Sequence, residues 1–172
     1  MKLPPAFAAK KNVVNVIIES PRGSRNKYDY EPESGLFKLK KILPTGLFFP
    51  LHFGFIPHTI NGDGDPVDAL VMMDMPTYPG NWIECRAIGL IEAEQTEKNG
   101  QVVRNDRLLS VPDCAKDLAH IQSIKDVNPS MLDELVKFFM FYNEMAGKKF
   151  RMLRLAGTEA AMLLVQKTIV AS

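Results

Sequence analysis

The chain has 172 residues, of which 46% are hydrophobic and 24% charged, and such proportions are ordinary for one globular domain. The formal net charge of +1 argues against a general nucleic-acid or membrane-surface role, and no apolar run approaches the ~20 residues of a membrane span. Because the N-terminus lacks the apolar core of a secretory signal and Cys85 and Cys114 stand far apart, we expect one cytoplasmic domain over 1–172, with 1–12 as an extended segment.

Strand patterns fill the first two-thirds of the chain. The first predicted strand is β-branched, and the second alternates apolar with charged side chains, as a half-buried strand does. Turn residues around Gly35 and at Asn99-Gly100 predict hairpins. The predicted strands cover 13–18, 27–31, 36–43, 52–56, 69–73, 82–92 and 107–111.

Helical patterns come only late in the sequence. The pattern Ser130-x-x-Asp133 predicts a capping box at the start of a long helix, and Gly147 predicts its end. The amphipathic segment at the C-terminus carries Glu159 in its first turn, which favours a helix start there. The predicted helices cover 113–121, 130–145 and 158–170, with a last strand at 150–155. Strands first and helices last indicate an antiparallel barrel or sheet packed by C-terminal helices.

The segment Asn61-Gly-Asp-Gly-Asp-Pro-Val-Asp68 places three carboxylates just before a predicted buried strand. Asp63, Asp65 and Asp68 repel one another, so that each raises the pKa of its neighbours. A hard cation removes this repulsion, because carboxylate oxygens are the ligands that Mg²⁺ and Mn²⁺ prefer. The alternative is a solvated turn, in which Asp and Gly are common. An EF-hand calcium loop does not fit, because Pro66 stands at the position of its turn glycine.

Further charged residues are candidates for a site that binds phosphate and metal. They are Glu19, Lys27, Asp29, Lys41 and Arg107. Glu19 ends the first predicted strand, and Lys27 and Asp29 share one face of the second because they lie two residues apart. Each of these residues could instead be a solvated surface charge. Tyr142 lies on the apolar stripe of the long predicted helix and could be a core residue.

With these residues the chain resembles the soluble family I inorganic pyrophosphatases. Asp63-Gly-Asp-Pro-Val-Asp68 looks like the signature of that family, and further segments follow in the family's order from about Val13 to about Val165. They include Val16-Ile-Ile-Glu19, Lys27-Tyr28 with an acid at 29, Phe48-Phe-Pro50, Gly54-Phe-Ile56, Ser110-Val-Pro112, and Phe138-Phe139 with Tyr142. The resemblance implies a mainly β fold with some α: an OB-like, five-stranded closed barrel with peripheral hairpins and two helices in the C-terminal half.

The resemblance also implies an activity, namely metal-dependent hydrolysis of pyrophosphate to two orthophosphates by an activated water, with Mg²⁺ or alternatively Mn²⁺ as cofactor. It makes Asp65 the general base. The implied metal ligands are Asp63, Asp68, Glu19, Asp29, Glu97 and Asn105, and the implied substrate-binding residues are Lys27, Lys41, Arg107 and Tyr142. It further implies a homo-oligomer, hexameric in the bacterial type. From the charge, the apolar runs and the cysteines we expect a cytoplasmic protein with no nucleic-acid or membrane partner.

Several positions depart from the family pattern. They are Lys41 for an arginine, Phe49 and Phe53 for tyrosines, Arg107 for a lysine and Asn143 for a lysine. The simplest alignment puts Glu97 and Asn105 at the positions of two aspartates, but Asp106 is adjacent and the register of this loop is open. An amide oxygen can ligate Mg²⁺ but carries no charge, so we expect weaker metal binding if Asn105 takes the place of an acid.

Two hypotheses about function follow. The first is an active pyrophosphatase with a modified metal and phosphate environment, which the retained acids and Lys27 favour. The second is a degenerate relative that binds phosphate or a partner with little turnover. A variant of the first is an enzyme that acts on another phosphoanhydride.

Overall fold

Strands dominate the first part of the chain and helices the last part, as predicted. The structure, a computed structural model, describes residues 2–170, so that Met1, Ala171 and Ser172 of the predicted domain lie outside it. The strands are β1 (Val13–Ser20), β2 (Asn26–Glu31), β3 (Leu36–Ile42), β4 (His52–Phe55), β5 (Asp68–Val71), β6 (Trp82–Thr96), β7 (Val102–Arg104), β8 (Arg107–Pro112) and β9 (Lys149–Ala156). The α-helices are α1 (Pro129–Met145) and α2 (Thr158–Thr168), and a short 3-10 helix spans Ile124–Asp126.

Five of the strands form a ring. β1 pairs with β4, β4 with β5, β5 with β8, β8 with β6, and β6 again with β1. The ring is not evenly closed, because the first half of β1 pairs with β6 and its end pairs with β4, so that Ile17 has a partner on both sides. β7 and β9 both pair with β6 outside the ring, and β2 and β3 form a separate hairpin. The predicted OB-like barrel with peripheral hairpins is confirmed, with this uneven closure.

Two apolar clusters hold the ring and the helices together. α1 contributes Phe139 to one of them, and α2 contributes Val165 to the other. Between β4 and β1 the backbones approach so closely that a Cβ atom on Gly54 would lie 2.1 Å from the carbonyl oxygen of Ile17. Only glycine therefore fits at this point of the ring.

The long predicted helix is confirmed, but it starts at a different cap. The side chain of Asn128 accepts a hydrogen bond from the backbone N–H of Ser130 at 2.9 Å, and Pro129 occupies the first helical position. The predicted capping box at Ser130 is therefore wrong, because Asn128 followed by proline is a complete start signal of its own. Gly147 follows the end of α1 with a φ of 72°, as predicted. Within residues 2–170 no helix is both long and apolar enough to cross a membrane.

Two further boundaries differ from the prediction. The segment 113–121 forms turns and not a helix, and the guanidinium of Arg86 donates to two of its carbonyls, those of Leu118 and Ile121. β6 runs to Thr96 and not only to Glu92, because this stretch pairs with β9 on one side and β7 on the other. The extra length of β6 matters for the site, since it carries polar residues to the edge of a cavity.

Candidate active site

A cavity of about 600 Å³ lies where β1, the β2–β3 hairpin, β5, β6, β8 and α1 meet. It brings together every predicted site residue except Glu97. The predicted residues in its lining are Glu19, Lys27, Asp29, Lys41, Asp63, Asp65, Asp68, Asn105, Arg107 and Tyr142. Gln95 and Lys148 also line it, although no motif pointed to them. Residues far apart in the sequence thus form one concave surface, which is the usual setting of a ligand site.

The acidic loop enters the cavity through a tight turn. Gly64, with a φ of 90°, donates its N–H to the carbonyl of Asn61 at 3.0 Å, and the backbone N–H of Asp65 donates to the Asp63 carboxylate at 3.2 Å. Asp65 is exposed at the cavity mouth, whereas Asp68 opens β5 and lies deeper. We call Glu19, Asp29, Asp63, Asp65 and Asp68 the acidic wall of the cavity.

Lys27 neutralises part of the acidic wall. Its ammonium lies 3.2 Å from the Glu19 carboxylate and 2.6 Å from that of Asp29, which confirms that Lys27 and Asp29 share one strand face. Burial alone would lower the pKa of Lys27, but the two carboxylates outweigh burial and raise it. Glu19 also accepts the backbone N–H of Tyr30 at 2.9 Å, which fixes its orientation. Lys27 is therefore held charged and in place at this wall.

Asp68 is an acid whose ionisation is costly in the folded chain. Burial raises the pKa of Asp68 to about 7, even though Arg107 and Lys27 oppose that rise. The Nε atom of Arg107 lies 3.5 Å from the Asp68 carboxylate, and the guanidinium stacks 4.2 Å from the ring of Phe139. Arg107 is buried, so its guanidinium is a cation held between an acid and aromatic rings inside the cavity.

The β3 side of the cavity carries a more exposed cation. The ammonium of Lys41 lies 3.9 Å from the centre of the Tyr142 ring, and the side chain is exposed. Burial raises the pKa of Tyr142 to about 12, so its hydroxyl stays protonated and can donate a hydrogen bond. Lys27 lies 4.7 Å from the ring of Phe53, where the family pattern has a tyrosine. The Phe53 ring therefore packs against a cation but offers no hydroxyl.

The part of the lining from β6, α1 and the start of β8 carries amides and no acid. We call Gln95, Asn105 and Asn143 the amide wall. The Asn105 side-chain N–H donates to the Gln95 carbonyl oxygen at 3.2 Å. Asp106 faces away from the cavity, because its carboxylate accepts the backbone N–H of Ala93 at 2.8 Å. The register that the sequence left open therefore places Asn105, and not Asp106, at the cavity.

Glu97 lies just outside the lining. Its carboxylate is 2.8 Å from the ammonium of Lys148 and accepts the side-chain N–H of Gln95 at 2.5 Å. Gln95, near the end of β6, lines the cavity where Glu97 does not. The sequence signal for Gln95 was the alternation of apolar and acidic residues in Ile91-Glu92-Ala93-Glu94, which extends the strand pattern to Gln95. It was missed because the predicted strand stopped at Glu92.

The residues of the cavity suit a hard cation by their chemistry. Among residues 2–170, no three or more His, Cys, Asp or Glu side chains are grouped closely enough to hold a metal ion as they stand. Glu19 and Asp29 pair instead with Lys27, and Asp68 pairs with Arg107. The Oδ1 atom of Asn105 is buried without a hydrogen-bond partner in the described part of the chain. Crowded carboxylates and a free amide oxygen are the donor set of a divalent cation such as Mg²⁺.

Comparison with known proteins agrees with this arrangement. Residues 16–171 match the family model described as inorganic pyrophosphatase. An inorganic pyrophosphatase of Thermus thermophilus is 40% identical over 145 residues, covering 84% of this chain and 80% of that protein. One of a Nostoc species is 36% identical over 160 residues, covering 93% and 92%.

The likeness extends to three dimensions. The crystal structure of inorganic pyrophosphatase from Thermus thermophilus matches this fold with a TM-score of 0.87 at 36% identity, over 96% of this chain and 94% of that one. The chain therefore belongs to the inorganic pyrophosphatase family.

Proposed function

We propose that this chain hydrolyses inorganic pyrophosphate to two orthophosphates, with a divalent cation bound at the acidic wall. One observation carries the proposal: Asp63, Asp65 and Asp68 share a single cavity with Lys27 and Arg107. Pyrophosphate is a dense anion, so both phosphoryl groups need cationic neighbours. The crowded carboxylates, in turn, need a divalent cation, and the same cation can also bind the phosphoryl oxygens of pyrophosphate.

The proposed cofactor is Mg²⁺, with Mn²⁺ as a substitute. Asp63 and Asp68 would hold it, while Glu19 and Asp29 would contact cations bound to the substrate. When bound, such a cation neutralises phosphoryl oxygens and makes a water molecule a stronger nucleophile near neutral pH. Members of this family depend on divalent metals, and the donor chemistry of the acidic wall agrees with that requirement.

Asp65 is the proposed general base. It lies at the cavity mouth, where its carboxylate can accept a proton from the attacking water while the oxygen of that water bonds to phosphorus. The bond between that phosphorus and the bridging oxygen breaks, and the bridging oxygen leaves with the second phosphate. The N–H of Asp65 is held by Asp63, so that the base and a proposed metal ligand are positioned together.

Cations of the protein bind the phosphoryl groups in this proposal. Lys27 and Arg107 are fixed by their carboxylate partners, and each can offer further N–H groups to phosphate oxygens. Lys41 and the Tyr142 hydroxyl act at the more open side. Lys27 and Arg107 are the fixed donors, and Lys41 and Tyr142 are the donors at the open side. This arrangement suits pyrophosphate, which enters as one anion and leaves as two.

We also propose a cytoplasmic homo-oligomer, six-membered as the resemblance implies. The two cysteines, buried Cys85 and exposed Cys114, are both free thiols, which suits a reducing compartment. Large apolar side chains such as Phe141 and Met152 are exposed on α1 and β9, where contact with other copies of the chain would cover them.

Phosphate release from pyrophosphate tests the proposed reaction. The purified chain is assayed with Mg²⁺, with Mn²⁺ and with a chelator, beside Asp65→Asn and the control Asp74→Asn. Asp74 is an exposed acid outside the cavity, paired with Arg22. We expect cation-dependent release, a loss of roughly 10²–10⁴-fold in Asp65→Asn, and little change in the control.

The same assay can contradict the proposal in two ways. If the native chain releases no phosphate with either cation, the enzyme hypothesis fails and the degenerate phosphate-binding protein remains. If Asp65→Asn is fully active, the reaction stands but Asp65 is not its base.

A further inference from the structure

A row of four hydrogen-bonded side chains, Lys148, Glu97, Gln95 and Asn105, runs along one side of the cavity, and all of them except Glu97 line it. The Lys148 ammonium lies 2.8 Å from the Glu97 carboxylate. Gln95 donates its side-chain N–H to Glu97 at 2.5 Å, and Asn105 donates its side-chain N–H to the Gln95 oxygen at 3.2 Å. At the Asn105 end of the row, beside the cavity that this residue lines, the Oδ1 atom of Asn105 is buried without a hydrogen-bond partner in the described part of the chain.

The direction of this row is set by Glu97. A carboxylate only accepts hydrogen bonds, so the NH₂ group of Gln95 must face Glu97 and the oxygen of Gln95 must face Asn105. That oxygen in turn selects the NH₂ group of Asn105. The oxygen of Asn105 is thereby left over as the free acceptor. The chemistry of one carboxylate therefore fixes the orientation of two amides, independently of how each amide was assigned.

The orientation of Asn105 matters because an amide has two different ends. An aspartate at this position would present an oxygen to a cation in either orientation. An asparagine presents an oxygen in one orientation and an NH₂ group, which repels a cation, in the other. A chain that carries Asn105 in place of an acid therefore needs a neighbouring group that orients the amide with its oxygen towards the cation.

We propose that Glu97 is a positioning residue, which acts through Gln95 to present the Asn105 oxygen as a neutral ligand for the divalent cation. This inference rests on the proposed function, because it assumes that the cavity binds that cation. Glu97 then contributes to metal binding without touching the metal, in contrast to the direct role that the family resemblance implied. Partners of this kind commonly change metal affinity by roughly 10–100-fold.

Binding of Mn²⁺ tests the proposal without any turnover. Mn²⁺ affinity is measured by electron paramagnetic resonance or calorimetry for the native chain and for Glu97→Ala. We expect Glu97→Ala to bind Mn²⁺ roughly tenfold more weakly, because the side-chain amides of Gln95 and Asn105 can then flip and exchange their oxygen and NH₂ ends. If Glu97→Ala does not fold, Glu97→Gln keeps the volume and should show a smaller loss, since its amide can still offer an acceptor.

Glu94→Ala is the matched control. Glu94 lies on β6 near Glu97, and the two side chains are 27% and 26% exposed. Each pairs with a cation on or beside β9, Arg151 at 2.6 Å for Glu94 and Lys148 at 2.8 Å for Glu97. Within residues 2–170 the Glu94 side chain forms a hydrogen bond with Arg151 and with no member of the row of four side chains, so Glu94→Ala should bind Mn²⁺ as the native chain does.

A double-mutant cycle with Asn105→Asp separates orientation from other effects. A carboxylate at 105 needs no orienting partner, so Glu97→Ala should lose its effect in that background. If Glu97→Ala weakens Mn²⁺ binding equally in both backgrounds, Glu97 acts directly or through general stability, and the proposal is wrong. Unchanged affinity in Glu97→Ala also overturns it. If the native chain binds no Mn²⁺ at all, the metal requirement of the proposed function fails together with this inference.

Discussion

The acidic wall and the amide wall line the same cavity but solve different physical problems. The acidic wall crowds carboxylates together, and burial raises the pKa of Asp68 to about 7 and also raises that of Asp63. In the amide wall, Gln95 and Asn105 carry no charge: Asn105 donates to Gln95, Gln95 donates to Glu97, and the Asn105 Oδ1 atom is left as an acceptor without a partner in the described part of the chain. The empty acidic wall thus carries the free-energy cost of crowded, buried charges, whereas the empty amide wall carries the smaller cost of one neutral acceptor left unpaired.

This difference shows where a cation would act. A cation near Asp68 gains from a charge that the fold alone stabilises poorly. A cation near Asn105 gains only from an oriented dipole, which is weaker. We therefore expect the acidic wall to decide whether metal binds, and the amide wall to decide how tightly.

The largest expected effect is the loss of folding stability that the buried, ionised carboxylates of the acidic wall cause when no metal is bound. Asp68 has a pKa of about 7 in the folded chain against 3.8 as its ordinary value, so the folded state binds an extra proton between these values. In chelator, the native chain should therefore lose stability relative to Asp68→Asn as the pH rises from about 4 to 7, by up to about 4 kcal/mol. Urea unfolding of both proteins across this range measures the difference.

The sign of that effect is specific to a buried acid. Below pH 4 Asp68 is protonated in both the folded and the unfolded state, and its contribution to the free energy of unfolding is fully present. Above about pH 7 Asp68 is ionised in both states, and that contribution is lost. Asp74→Asn, at an exposed acid, should follow the native curve. If the free energies of unfolding of the native chain and Asp68→Asn stay parallel from pH 4 to 8, ionisation of Asp68 does not destabilise the folded chain. Added Mg²⁺ should stabilise the native chain at pH 8 and have little effect on Asp68→Asn.

The smallest expected effect concerns the open side of the cavity. Lys41→Arg replaces a point charge with a planar fork that can bind a phosphate through two parallel hydrogen bonds. We expect KM for pyrophosphate to fall by about threefold, with kcat nearly unchanged. Lys38→Arg, at an exposed position on the same strand outside the cavity lining, is the control. An equal change in both variants would mean that Lys41 does not bind substrate.

The two walls also differ in how far the sequence predicts them. Asp63, Asp65 and Asp68 lie within six residues of one another, and the face shared by Lys27 and Asp29 follows from strand geometry, so that both groupings could be expected from the sequence alone. The same holds for the order of strands and helices in the fold.

The amide wall could not be predicted, because long-range pairing creates it. Gln95 reaches the cavity only because β6 continues past Glu92, and it continues because β7 and β9 pair with it. Asp106 and Asn105 are neighbours in a loop, and the Asp106 carboxylate is held away from the cavity by hydrogen bonds from the Ala93 backbone and the Arg104 side chain. Sequence patterns record local preferences, whereas these placements depend on partners far along the chain.

The most direct test of the division between the two walls is a Mn²⁺ binding isotherm for three proteins: the native chain, Asp68→Asn and Asn105→Asp. We expect that the native chain binds Mn²⁺, that Asp68→Asn binds at least about 100-fold more weakly, and that Asn105→Asp binds about tenfold more tightly. Native affinity in Asp68→Asn, or no gain in Asn105→Asp, would contradict the division of the cavity into a wall that holds the metal and a wall that tunes it.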